Sequence, residues 1–309
     1  MAEAVSPSAG LSRQGILVVA ALGVLYLVWG STYFAIKIAV ETLPPYTMLS
    51  VRFLLAGGVL YGFLRFRGAR NPTPVQWRSS ALVGTLLLVT GLGSVTLAES
   101  LGVSSGVAAV VVSTMPLWFA LFTLFWGGRV GVPEWLGMGL GLVGVALLNA
   151  EADLRANPVA AVILFLAPVG WAFGSVWSRR LPQPPGMMAS AAQMLAAGLV
   201  FIPVALLRGE SFTRFPSLNS SLAFVYLTTF GSLLAYSAYV YLLGRSLRPA
   251  LLSSYAYVNP VVAVFLGVYF AGERISPTGF VGTGVILLGV VLAVTGKVAS
   301  KVDPGQMDS

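Results

Sequence analysis

SSYAYVNPVVAVFLG, Ser253 to Gly267, sets an asparagine and a proline inside an otherwise apolar run. Proline removes a helix hydrogen bond and clashes with the preceding turn, a cost of about 3 kcal/mol in a water-soluble helix. Asparagine is unfavourable against lipid. A run that keeps both frees backbone groups that must face protein or a water-filled cavity.

The run is one of many. The chain of 309 residues is 57% hydrophobic and only 9% charged, and its mean hydropathy is +0.88. A soluble domain normally carries about 25% charged residues. At about 20 apolar residues per crossing, the spans that can be drawn are 16–36, 46–66, 79–98, 106–126, 133–150, 158–178, 188–207, 219–243, 249–270 and 277–295. No stretch is left for a soluble domain. The expected fold class is therefore an all-α integral membrane protein of ten transmembrane helices.

Neither cysteine nor histidine occurs, which removes disulfides, thiol catalysis, Cys/His zinc sites and imidazole acid–base chemistry. No cofactor and no metal is expected. Residues 1–15 read as a disordered lead, without the basic start and cleavage site of a signal peptide, and 296–309 read as a short cytoplasmic tail. The net charge of +8 raises nucleic acid as a partner. Its distribution argues for the positive-inside rule instead. With the N-terminus cytoplasmic, twelve basic residues fall inside (among them Arg65, Arg67, Arg70, Arg78, Arg179, Arg180, Arg245 and Arg248). Five fall outside, and Arg52 lies within a span. Both termini are expected inside, with no nucleic-acid partner.

The polar break Asn149–Pro158 divides the spans into five and five. Pro116 and Pro260 are 144 residues apart, as are Pro133 and Pro277, while Gly137, Gly139 and Gly144 recur as Gly282, Gly284 and Gly289 after 145. Trp29 matches Trp171 and Arg52 matches Gln193 more loosely. Because five is odd, a second copy is inserted upside down, giving repeats at 16–150 and 158–295. Inverted repeats are typical of secondary transporters, with substrate bound near the bilayer midplane between the halves.

Pro260 is twelfth in a run of 22 and Pro116 eleventh in a run of 21, so both fall near the bilayer centre as expected gating breaks. They free the carbonyls of Ala256 and Val112. Around them lie Ser254, Tyr257 and Asn259 in one half and Ser113 and Thr114 in the other. Trp29, Ser31, Thr32 and Tyr33 in the first span, Trp171, Ser175 and Trp177 in the sixth, Gln193 in the seventh, and Tyr236 and Tyr239 in the eighth complete the expected substrate-binding set. Each of these aromatics could equally be packing. Arg52, Glu99 and Lys37 are expected near the outer ends, where Arg52 and Glu99 read as an ion pair or Glu99 as a proton carrier. Gly137 and Gly141 form a GxxxG pattern that serves either dimerisation or packing of the terminal spans within their own halves.

The segments VWGSTYFAIK, VRFLLAG, SGVAAVVVSTMPLW, WAFGSVWSRR, SSYAYVNPVVAVFLG and GER, in this order and spacing, resemble the EamA-type branch of the drug/metabolite transporter superfamily. The turn GGRV at 127–130 departs from the Gly-Glu-Arg-like turn the family often carries there. The resemblance implies two inverted five-helix repeats around a central cavity and a membrane exporter of small metabolites or drugs, not an enzyme. Partners would be a small-molecule substrate and membrane lipid, with proton or counter-substrate coupling open and the chain a monomer or homodimer. No G-x-x-x-x-G-K-[ST] loop occurs, which argues against direct ATP coupling. Phosphorylated or lipid-linked substrates are the nearer alternative, and an intramembrane enzyme the remote one.

Overall fold

The computed structural model describes residues 13–103, 105–148, 158–212, 215–245, 247–271 and 277–295, and all regular structure among them is helical. In chain order the helices are α1 (Arg13–Val40), α2 (Pro45–Phe66), α3 (Pro74–Ser100), α4 (Ser105–Val112), α5 (Met115–Phe125) and α6 (Val132–Leu148). They continue with α7 (Pro158–Ser178), α8 (Met187–Leu207), α9 (Leu218–Leu243), α10 (Pro249–Ser253), α11 (Tyr255–Ala271) and α12 (Pro277–Thr295). Helices α1, α2, α3, α7, α8 and α9 are each long and apolar enough to cross a membrane. Helix α1 begins at Arg13, inside the segment 1–15 expected as a lead. The polar break at 149–157, Glu273, Arg274 and the tail from 296 lie outside the described residues.

Local chemistry sets the helix ends. Thr73 and Gln76 form a reciprocal capping box in front of α3, with Pro74 in its first turn, and Ser217 caps α9 by accepting from the Ser220 N–H. At the other ends, Gly68, Gly102, Gly127 and Gly209 take positive φ. The following N–H reaches five residues back, as from Ala69 to Leu64 and from Glu210 to Ala205. This closure satisfies carbonyls that would otherwise end unpaired.

Two expected spans are divided. Run 106–126 turns at Ser113–Thr114 between α4 and α5, and run 249–270 turns at Ser254 between α10 and α11. The second turn corrects the expectation placed on Pro260, which sits inside the continuous α11 while the chain turns at Ser254. Pro116, in the first turn of α5, does follow directly on its break, where proline's missing N–H leaves no gap in the ladder.

Three stretches adopt π-helical geometry: Leu25–Trp29 in α1, Thr85–Leu92 in α3 and Leu227–Tyr236 in α9. Thr85 and Leu227, where two of them begin, are 142 residues apart, the offset that also separates Trp29 from Trp171.

Packing joins the first half of the chain to the second. Helix α6 lies along α12, α2 along α8, α3 against α7 and α1 against α9. The two closest pairings are reciprocal. A Cβ on Gly144 would fall 2.6 Å from the Ile286 nitrogen and 2.8 Å from the Gly282 oxygen, and one on Gly289 would fall 2.7 Å from the Gly141 nitrogen and 2.8 Å from the Gly137 oxygen. Likewise Gly57 meets the Leu195 nitrogen at 2.9 Å and Gly198 the Leu54 nitrogen at 3.0 Å. Only glycine admits such backbone approach. The Gly137/Gly141 pattern therefore serves neither expected purpose: it seats α6 on α12 of the other half. Apolar side chains such as Leu27, Val59, Phe63, Val162 and Leu206 remain exposed on the outside, the surface that lipid covers.

Candidate functional site

Between the halves lies a cavity of about 620 Å³, counting its open mouth. From α1 it is lined by Trp29, Thr32, Tyr33 and Ile36. Their spacing of three, four and seven residues puts them on one helical face. Helix α2 adds Arg52 and Phe53, and α3 adds Leu88, Gly91, Leu92 and Val95. Val112 and Met115 flank the first helix break. The second half contributes Ala167 and Trp171 from α7, Gly231 and Tyr236 from α9, and Tyr255 and Asn259 from α11.

All three π-helical stretches reach this lining. An inserted residue rotates the side chains that follow it and leaves a carbonyl free for other work, which is why such turns recur at functional sites. Here the Gly231 carbonyl accepts the Trp29 indole N–H at 3.3 Å. Gly91 leaves room for the Trp171 ring, whose Cε3 would stand 2.6 Å from a Cβ at that position.

An aromatic wall closes one side. Trp29 and Trp171 meet edge to face with centroids 5.3 Å apart, an arrangement the ring quadrupoles favour. Tyr255 packs 5.0 Å from Trp29, and Tyr239 lies behind both tryptophans. The hydroxyls are fixed: Tyr239 shares a hydrogen bond with Ser175, and Tyr236 donates to the Gln193 side-chain oxygen at 2.6 Å. Gln193 in turn donates to Gln183.

Most polar groups in the lining are thus already engaged, and three side chains keep a buried atom without a hydrogen-bond partner: Trp171, at its indole Nε1, Arg52 and Asn259. Arg52, 2% exposed, donates from Nε to Ser232 Oγ at 2.8 Å, while its Nη1 has no partner. Asn259, also 2% exposed, leaves Oδ1 without a donor.

Of the residues singled out from sequence, Trp29, Thr32, Tyr33, Arg52, Trp171, Tyr236 and Asn259 line the cavity. Ser175, Gln193 and Tyr239 stand one layer behind it, holding lining groups or packing against them. Others point elsewhere. Ser31 bonds Tyr226, Ser254 bonds Tyr26, and Thr114 bonds the Val111 carbonyl. Ser113 is buried in the first helix break, and Trp177, which is not among the lining residues, packs at a tilt against Phe173. Tyr257 reaches the Met138 carbonyl on α6. Lys37 is solvent-exposed, within electrostatic reach of Glu99.

The expected ion pair between Arg52 and Glu99 does not form. Arg52 turns to Ser232 on α9, and both Glu99 carboxylate oxygens are buried without hydrogen-bond partners. Glu99 lies instead near Tyr33, whose hydroxyl neighbours Asn259. The α3 contribution carried no signal in the sequence beyond its closely set Gly91 and Gly93.

The model of the EamA-like transporter family matches this chain twice, over 14–150 and 158–295. The uncharacterized inner membrane transporter YedA of Escherichia coli K12 is 47% identical over 92% of this chain and 93% of its own length. A probable amino-acid metabolite efflux pump of Salmonella typhimurium is 25% identical over 87% of this chain and 92% of its own length. Protein PecM of Dickeya dadantii is 27% identical over 86% and 88%. A solved crystal structure, 22% identical, shares the fold with a TM-score of 0.71 over 91% of this chain and 97% of that one. A family model that covers nearly the whole chain, together with a near-half-identical relative of the same length, places this protein in the EamA-like transporter family.

Proposed function

We propose that this protein is a secondary transporter of the bacterial inner membrane, moving small amphipathic metabolites or drug-like compounds outward by alternating access. One observation carries the reading: the central cavity draws its walls from both halves of the chain. Two inverted five-helix repeats, 16–150 and 158–295, with both termini cytoplasmic, would let the halves exchange conformations and so turn an opening from one side to the other. The reciprocal glycine contacts of α6 with α12 and of α2 with α8 support this, as does the paired match of the family model. The glycine seams act as the fixed part, and the walls formed by α1, α3, α7 and α9 as the part that moves.

The lining suits an amphipathic molecule. Aromatic rings offer stacking area, while Arg52 and Asn259 offer polar anchors. The name of the Salmonella relative, an amino-acid metabolite efflux pump, agrees with export of such compounds. Glu99 is the candidate proton carrier, connected to the cavity through Tyr33. The single guanidinium argues against phosphorylated substrates, which favour several cations. No carboxylate is found among the described lining residues, which disfavours an intramembrane enzyme.

Flux into proteoliposomes, measured for a panel of amino acids, amphipathic organic acids and cationic drugs with and without a pH gradient, tests the reading. Selective, saturable flux of one class is expected. Silence across the whole panel would overturn it.

A further inference from the structure

Among the described residues that line the cavity, Arg52 is the only formally charged side chain. Helix α2 holds it inside a membrane span, and no acidic side chain among the described residues pairs with it: Nε is spent on a neutral hydroxyl, that of Ser232, and Nη1 has no partner. A buried guanidinium left in this condition is unfavourable unless a counter-charge completes it. Two neighbours accommodate it there nonetheless. Gly231, in the π-helical part of α9, supplies the space, since a Cβ at that position would stand 2.8 Å from Arg52 Nη2. The Phe53 ring lies 5.2 Å from the guanidinium carbon and screens it.

We infer that the substrate is a monoanionic organic acid, a carboxylate on an apolar, preferably aromatic body, with its carboxylate on Arg52 and its body against Trp29, Trp171 and Tyr255. This rests on the transporter reading above and narrows its substrate class. A carboxylate offers two oxygens to the guanidinium nitrogens left over from the Ser232 bond. A single lining cation matches one negative charge, not the two of a phosphate monoester. Asn259, with Oδ1 free, accepts from any N–H or O–H the body carries. An amphipathic cation would meet Arg52 as a like charge inside a low-dielectric cavity and would be excluded.

The test uses three probes of one shape in equilibrium titrations with the purified, detergent-solubilised protein: phenylacetate, its neutral amide phenylacetamide, and 2-phenylethylammonium. Phenylacetate should bind roughly tenfold or more tighter than the amide, and the ammonium weakest of all. Arg52→Gln should bring phenylacetate down to the level of the amide and leave the amide unchanged. Gly231→Ala, which crowds the guanidinium while keeping its charge, should weaken phenylacetate selectively. If Arg52→Gln fails to fold, the wild-type ranking alone decides. Amide or ammonium binding as tight as phenylacetate would overturn the inference, as would unchanged phenylacetate affinity in Arg52→Gln. Silence toward all three probes, with selective flux of another class in proteoliposomes, would overturn the inference and leave the transporter reading standing. Silence in both would remove both.

Discussion

Asn259 and Glu99 are buried polar side chains whose oxygens the protein leaves without hydrogen-bond partners, and that condition separates a ligand role from a structural one. Removing an unsatisfied buried group does not cost stability, whereas removing one that is engaged does. Asn259→Leu should therefore leave thermal stability level or slightly raised, and weaken substrate binding by about 1–3 kcal/mol. Lower stability with unchanged binding would make Asn259 a packing residue. Glu99→Gln, by the same logic, should fold normally, lose pH-driven flux and retain substrate exchange. A second change, Arg52→Gln, should not rescue it, since the two side chains are not paired. At this scale the sequence was partly legible. Tyr255 and Asn259 are four residues apart and share a helical face, while Tyr257 stands about 200° from Tyr255 around the helix. Tyr257 and Asn259 could therefore not both face one cavity along a regular helix. Which of them did so depended on packing, and Tyr257 went to α6.

Among the elements, the spans and the glycine spacing could be read directly, because each depends on local composition. The 145-residue recurrence of Gly137 and Gly144 as Gly282 and Gly289 turned out to be a physical seam. Its partner was not legible, since a spacing rule identifies a close-packing face without naming the helix that meets it. The π-helical stretches and the turn at Ser254 were also missed. Both depend on which carbonyl each N–H chooses, and apolar side chains do not encode that choice. Gly144→Leu and Gly289→Leu should each lower stability by roughly 1–3 kcal/mol or prevent assembly, because the added side chain meets backbone. Gly139→Leu, at a position with nothing within 4 Å of its Cβ, should be silent. Equal tolerance at all three positions in a thermal melt would contradict the seam. Pro260→Ala should leave transport near wild type, because the chain turns at Ser254; a large fall in turnover would return the gating role to Pro260.

For the whole molecule, the account depends on one cavity that opens in turn to the two sides of the membrane. The chain contains no cysteine, so single cysteines can be placed without a prior background change. Thr32 on α1 and Val95 on α3 both line the cavity. The direct measurement is the labelling of Thr32→Cys and Val95→Cys by a membrane-impermeant maleimide, in right-side-out and in inside-out vesicles. The account predicts that each cysteine is labelled from both sides, and that bound substrate protects it on both. Labelling confined to one side for both positions, with or without substrate, would contradict alternating access through this cavity.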